Sequence, residues 1–320
     1  MDSTVFRAAL DASEVIVLDG GLATQLEAQG ADLSDALWSA RLLADAPGEI
    51  VAAHVAYYRA GSRVATTASY QATFEGFGRR GIAHEEAAAL MRRSVDLASE
   101  ARAIVLAERA AVNAAGSALY VAASIGPYGA MLADGSEYRG RYGRSVAQLR
   151  DSHRERLMVL ASTDADVLAI ETIPELEEAV AVAGLLAETD GAAAWFSFTC
   201  ADGTRLRSGV PIEEAVAAID GTPGLVAIGV NCTAPEHVDE LVGRIAATTT
   251  LPVVVYPNSG EGWDAARRTW TGEVAGRVDA AAGTRWVAAG ARLVGGCCRV
   301  TPDQIGGLAR GLPASAAARS

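Results

Sequence analysis

Apolar residues fall in short runs, and longer stretches with helical spacing separate them along nearly the whole chain. Runs rich in Val, Ile and Leu predict eight strands, at 15–20, 63–70, 119–126, 167–173, 193–200, 224–232, 252–259 and 291–298. Ala-, Glu- and Arg-rich stretches near 47–60, 84–113, 145–162, 175–189, 212–219, 235–247, 273–289 and 302–310 predict the helices. Two helix starts carry their own signal: Thr233 ahead of Pro235-Glu236-His237, and Thr301 ahead of Pro302-Asp303-Gln304. Strand alternating with helix argues for a parallel sheet covered by helices. Eight such units within 320 residues fit a single (β/α)8 TIM barrel better than an open sheet. No linker or composition break marks a second domain, so residues 1–312 read as one barrel and 313–320 as a disordered tail.

Composition narrows the function classes. At 50% hydrophobic and 21% charged residues, the chain has enough apolar surface to fold on its own. No segment approaches eighteen consecutive apolar residues, so no transmembrane helix is expected. The start, MDSTVFRAAL, places an acid at Asp2 and has no basic region ahead of a long apolar run, which predicts a cytoplasmic protein without a signal peptide. A formal net charge of −12 repels phosphate backbones and argues against a nucleic-acid partner. All the basic side chains are arginine; without lysine there is no Schiff-base or phosphate-loop lysine chemistry.

In a barrel the chemistry sits at the C-terminal ends of the strands. The chain puts Asp19-Gly20-Gly21, Thr67, Ser124, Glu171-Thr172, Cys200, Asn231-Cys232, Tyr256 and Cys297-Cys298 at those ends. All four cysteines fall there, and the four histidines (His54, His84, His153 and His237) fall in helices or at their starts. Four cysteines in a chain read as cytoplasmic do not form a disulfide framework. Cys232 with Cys297 and Cys298 offers three thiolates from two strand ends. Three protein ligands with one position open is the arrangement of a catalytic zinc, and soft sulfur favours that metal. The competing reading makes these cysteines small buried hydrophobes. Gly295-Gly296 favours the metal, because glycine lets backbone crowd a site. Cys200 reads as packing. Asp19 and Glu171 are acids at buried strand ends, suited to a substrate ammonium or to acid–base work, or else to a local hydrogen bond. Gly20-Gly21 ahead of a helix start suits a carboxylate, and together these features suggest an amino-acid substrate.

The segment Gly76-Phe77-Gly78-Arg79-Arg80-Gly81 matches a dinucleotide fingerprint by letter only; it does not directly follow its strand. The long loop 127–142 carries Tyr128, Glu137 and Tyr138, which suit either a cation pocket or a surface loop packed on the barrel.

At these residues the sequence resembles the homocysteine S-methyltransferase family over roughly 13–311. The resemblance rests on DGG followed by LATQLE, TTASYQAT at 66–73, SIGPYGAMLADGSEYRG at 124–140, ETIP at 171–174, GVNC at 229–232, YPNSGE at 256–261 and GGCCRVTP at 295–302. It implies a zinc-dependent (β/α)8 barrel with Cys232, Cys297 and Cys298 as Zn2+ ligands. It also implies that Asp19 and Glu171 hold the amino group of homocysteine, with backbone at Gly20, Gly21 and Thr67 near its carboxylate and Asn231, Tyr128 and Glu137 among the substrate-binding positions. Within the family, the 126–140 loop is similar to the branch that uses S-methylmethionine or S-adenosylmethionine. No room is left for the C-terminal arm of the betaine-using branch, nor for the folate and cobalamin modules of the large methionine synthases, and a monomer is expected. One departure is Trp263, where this branch often carries tyrosine.

A zinc hydrolase on the same barrel would draw on histidine and aspartate ligands, and no histidine lies at a strand end. A metal-storing or redox-sensing thiol protein leaves Asp19, Glu171 and the 127–142 loop without a role. The expected reaction is therefore methyl transfer from a sulfonium to homocysteine, giving methionine.

Overall fold

The computed structural model describes residues 1, 3–33, 38–114, 116–264, 269–271 and 277–313. Eight parallel strands form one sheet: β1 (Ile16–Val17), β2 (Val64–Thr66), β3 (Tyr120–Ile125), β4 (Val167–Ile173), β5 (Ala194–Phe198), β6 (Leu225–Asn231), β7 (Val253–Tyr256) and, after a short hairpin of β8 (Gly262–Asp264) and β9 (Thr269–Thr271), β10 (Ala291–Val294). The spatial order is β1-β10-β7-β6-β5-β4-β3-β2, with every neighbouring pair parallel. At the remaining seam the Arg63 N–H donates to the Val17 carbonyl (2.7 Å), so the sheet is nearly closed into a (β/α)8 barrel.

Side-chain alternation sorts each strand between two cores. Val64, Tyr120, Val167, Ala169, Trp195, Val254 and Leu293 fill the barrel interior. Their neighbours Ala65, Val121, Leu168, Ile170, Phe196, Val253 and Val294 pack outward under the helices. Strands buried on both faces read as continuous apolar runs, which is why the sequence marks them so clearly. An N-terminal helix, α1 (Thr4–Asp11), sends Phe6, Ala9 and Leu10 into the interior core, with the Phe6 ring edge-on to Tyr120 at 5.1 Å. It amounts to two turns, and the eight-unit pattern left no place for it.

The outer layer follows the predicted helices closely. Between β1 and β2 run α2 (Leu22–Ala28), α3 (Trp38–Asp45) and α4 (Pro47–Ala60); between β2 and β3 run α5 (Phe74–Gly78) and α6 (His84–Ala111). After β3 come the short α7 (Tyr128–Leu132), a 3-10 turn at Ser136–Tyr138 and α8 (Val146–Ala161), then α9 (Leu176–Leu186), α10 (Ile212–Ile219), α11 (Val238–Thr248), α12 (Ala280–Ala289) and α13 (Pro302–Gly311). At the start of α13 the Gln304 side chain accepts the Thr301 N–H at 2.9 Å, so the predicted capping signal is used.

Two expectations are corrected. Thr233 caps no helix: its hydroxyl donates to the Asn231 carbonyl and accepts the Cys200 N–H, tying β6 to the end of β5. The helix expected from 273 begins at Ala280, where the Asp279 carboxylate accepts the Ala282 N–H; residues 272–276 lie outside the described residues. The fingerprint-like glycines 76–81 sit in α5 and the turn after it, where Thr73 caps the helix. The backbone of Trp263 belongs to β8, while its side chain and the 314–320 tail lie outside the described residues. Among the described residues no helix is long and apolar enough to cross a membrane.

Candidate active site

The C-terminal ends of the strands open into one cavity of about 760 Å³, part of it open to solvent. Cys232, just past β6, and Cys297 and Cys298, just past β10, face it together, with their three sulfurs within 4.8 Å of one another. Cys200 stays outside this cluster, fully buried, and burial pushes its thiol up to about 12. The loop that carries Cys297 and Cys298 folds hard against β1. A Cβ on Gly295 would lie 2.6 Å from the Leu18 Cβ and 2.8 Å from the Asp19 carbonyl oxygen, so only glycine fits. The Gly296 N–H donates to that same Asp19 oxygen at 3.0 Å, and the Cys297 N–H donates to Pro257 at 2.8 Å.

Cys232 and Cys297 are joined as a disulfide, and the Cys298 sulfur stands 4.0 Å from that of Cys297. Disulfide and metal are alternative fates of one cluster, because only a thiolate ligates. The surroundings fit a metal. The cavity lining contains two carboxyls and three cysteines but no Arg or His. Desolvation pushes the Cys298 thiol up to about 11, opposed in part by a hydrogen bond from Tyr138. Three thiolates here need a cation to balance them, and a soft sulfur set with an open fourth position suits zinc.

Two buried carboxyls share the cavity with the sulfurs. Asp19 is gripped by Thr66, whose N–H donates to Oδ2 at 2.7 Å and whose hydroxyl donates to Oδ1 at 2.8 Å. The same pair of bonds laces the open seam between β1 and β2. Glu171, near the end of β4, accepts hydrogen bonds from the Ser124 and Tyr256 hydroxyls. Trp195 in turn donates to the Tyr256 oxygen at 3.0 Å, so the interior core holds the Glu171 anchor. Burial pushes Asp19 up to about 7, with the nearby Glu171 adding to the rise, and burial likewise pushes Glu171 up to about 7. Among the described residues neither has a cationic neighbour, and a substrate ammonium would supply one.

The remaining predicted positions divide. Gly20, Gly21 and Thr67 line the cavity, but the Gly21 and Thr67 amides already donate to Val300 (3.0 Å) and Ala122 (2.9 Å). Asn231 does not line it: fully buried, its amide accepts the Thr172 N–H at 2.7 Å and donates to the Thr172 hydroxyl at 2.8 Å. Thr172 needs that brace, since its φ of +62° is strained for a β-branched residue. Tyr128 also stands back, its N–H donating to Glu178 at 2.5 Å and its ring edge-on to Tyr142. Glu137 lies just outside the lining, beside Tyr138, which does line it.

Sequence reasoning passed over Thr66, Ser124 and Tyr256 as anchors. Strand alternation held the signal for the first: Val64 points into the barrel, and Thr66, two residues on in the same strand, points the same way.

A family model for homocysteine S-methyltransferase matches residues 16–312. The chain belongs to the homocysteine S-methyltransferase family. A homocysteine S-methyltransferase of Escherichia coli is 48% identical over 304 residues, covering 94% of this chain and 96% of the relative. A selenocysteine methyltransferase of Astragalus bisulcatus is 42% identical, with coverage of 93% and 92%. The homocysteine methyltransferase MmuM of Escherichia coli, solved in a metallated form, matches with a TM-score of 0.85 at 45% identity over 95% of this chain and 99% of that one. An oxidized form of the same protein matches with the same score and identity, over 95% of this chain and 98% of that one. Within the family, then, a barrel of this shape exists in a metal-bound and in an oxidized state. The cysteine cluster here has the donors for both.

Proposed function

We propose that this protein transfers a methyl group from a sulfonium donor, S-methylmethionine or S-adenosylmethionine, to the sulfur of L-homocysteine, forming methionine. One observation carries the reading: three cysteine sulfurs within 4.8 Å of one another share a cavity with two buried carboxyls that have no cationic partner among the described residues. Cys232, Cys297 and Cys298 would hold Zn2+, a choice favoured by the sulfur donors and by the metallated relative. When bound, the metal supplies a Lewis acid that keeps the acceptor sulfur deprotonated at neutral pH.

The chain's own residues do the rest. Asp19 and Glu171 bind the acceptor ammonium, and the Gly20 backbone lies against its carboxylate. Thr66, Ser124 and Tyr256 keep the two carboxyls in place. In the transfer, a lone pair of the acceptor sulfur forms the new bond to the methyl carbon. The electrons of the breaking C–S bond return to the donor sulfur, which leaves as a neutral thioether. The acceptor's S–H proton has already gone to solvent, so the leaving group needs no acid. The walls must hold the two sulfurs and the methyl in line and exclude water; Leu22, Ala23, Ala68 and Tyr70 supply apolar lining for that.

The protein is read as a single domain over 1–312, active as a monomer in the reducing cytoplasm, where its thiols stay free, with no nucleic-acid partner. The test is methionine formation by reduced, zinc-loaded protein given homocysteine and S-methylmethionine, with S-adenosylmethionine and betaine in parallel. Turnover with a sulfonium supports the reading. Silence with all three donors while the metal stays bound overturns the reaction and leaves only the metal site.

A further inference from the structure

The acceptor assignment uses Asp19, Glu171 and the cysteines, and it leaves a second set of polar groups on the Cys298 side without a task. Tyr138 lines the cavity and its hydroxyl reaches the Cys298 sulfur. The charges of Glu137, on the loop after β3, and Arg207, on the loop after β5, both bear on that hydroxyl. Glu137 is only 8% exposed, and its Oε2 is buried without a hydrogen-bond partner. The Nε of Arg207 is also buried without a partner. Next to Tyr70, the Oε1 of Gln71 is a further unpartnered acceptor at the cavity wall. Buried polar groups are nearly always satisfied, so orphans of opposite charge that both act on a cavity-lining tyrosine point to a ligand.

The segment is built to stay put. The Arg207 N–H donates to the Thr199 carbonyl at 3.1 Å. The Arg141 guanidinium donates to the Ser208 carbonyl at 2.7 and 3.0 Å, clamping the β3 loop to the β5 loop. An acid and a guanidinium that both act on one cavity-lining tyrosine complement an ammonium and a carboxylate carried by one molecule.

We propose that Glu137 and Arg207 form the donor subsite and select a zwitterionic amino-acid sulfonium, with Glu137 and Gln71 taking its ammonium and Arg207 its carboxylate. This deepens the proposed function and rests on it. The donor's sulfonium then lies beside Tyr138 and Cys298, facing the acceptor sulfur. The assignment separates donors by their two charged ends. S-methylmethionine carries both, dimethylsulfoniopropionate only the carboxylate, and trimethylsulfonium neither.

The experiment measures initial rates for the reduced, zinc-loaded enzyme with homocysteine and each of these three donors. In the wild type, kcat/KM should fall in that order. Arg207→Gln should raise the KM of the first two donors about tenfold to a hundredfold, and leave those of trimethylsulfonium and homocysteine within about twofold. Glu137→Gln should raise the KM of S-methylmethionine alone. Arg207→Lys should recover part of the loss, which a folding defect would not allow. Donor constants within about twofold in both Gln variants, or equal losses for all three donors, would overturn the subsite while leaving the reaction standing. If the wild type transfers no methyl from any sulfonium, the reaction itself is wrong. Calorimetric titration of S-methylmethionine then decides the subsite. Binding that Arg207→Gln abolishes supports it; equal binding in both proteins, or none in the wild type, overturns it.

Discussion

Asn231→Ala separates two roles that a buried polar residue beside a metal-binding cysteine can have. The sequence places Asn231 among substrate contacts; the structure has its amide bracing Thr172 from across β5. Truncation orphans the Thr172 N–H, which cannot turn elsewhere, and frees a hydroxyl that can. An unsatisfied buried donor costs about 1–3 kcal/mol, and that is the expected loss of stability. At about 2 °C per kcal/mol for a chain of this size, the midpoint of thermal unfolding should fall by about 2–6 °C. Glu171 directly precedes Thr172, so homocysteine KM should also rise, by about tenfold, because a small displacement of a positioning group is enough. Differential scanning fluorimetry and initial rates on one preparation read both effects. A raised KM with an unchanged midpoint would mean that Asn231 touches substrate and that the bracing argument is wrong. No change in either would dismiss both roles.

Four further outcomes follow from the site. Cys297→Ala should lose bound metal, read by elemental analysis, together with activity, read as methionine formed; an active, metal-free variant would remove the cysteines from the chemistry. Because burial raises Asp19 and Glu171 to about 7, their anionic, ammonium-binding forms are lost below that pH. Homocysteine kcat/KM should therefore climb between about pH 6 and 8 and then level off; a flat profile would detach these carboxyls from acceptor binding. The same shift has a stability consequence of opposite sense. The unfolded carboxyls ionise near 4 and the folded ones near 7, so their contribution to stability is fullest below about pH 4 and declines as pH rises through 7. Last, oxidised protein with the Cys232–Cys297 disulfide keeps too few thiolates to hold the ion. It should bind no zinc until a thiol reductant is added, and undiminished uptake in the disulfide form would count against the three-sulfur site.

Local patterning determined much of this protein. The eight strands and the principal helices were legible because strands buried on both faces must be apolar throughout, and covering helices must repeat every three to four residues. The strand ends carried the cysteines and acids, since a barrel displays those positions together. What the sequence by itself could not decide was contact between distant segments. Whether α1 plugs the barrel depends on Phe6 meeting Tyr120, more than a hundred residues away. That Thr66 rather than Thr67 holds Asp19 depends on which face of β2 turns inward at the seam. That Asn231 serves Thr172 instead of the cavity depends on β4 and β6 flanking β5. Thr233, placed by local rules at a helix start, is taken by a neighbouring strand because a buried Cys200 N–H needs an acceptor. Periodicity is a property of neighbours along the chain, and so the sequence determines it. Partner choice is settled among groups that meet only after the barrel closes, where each buried donor takes the acceptor within reach.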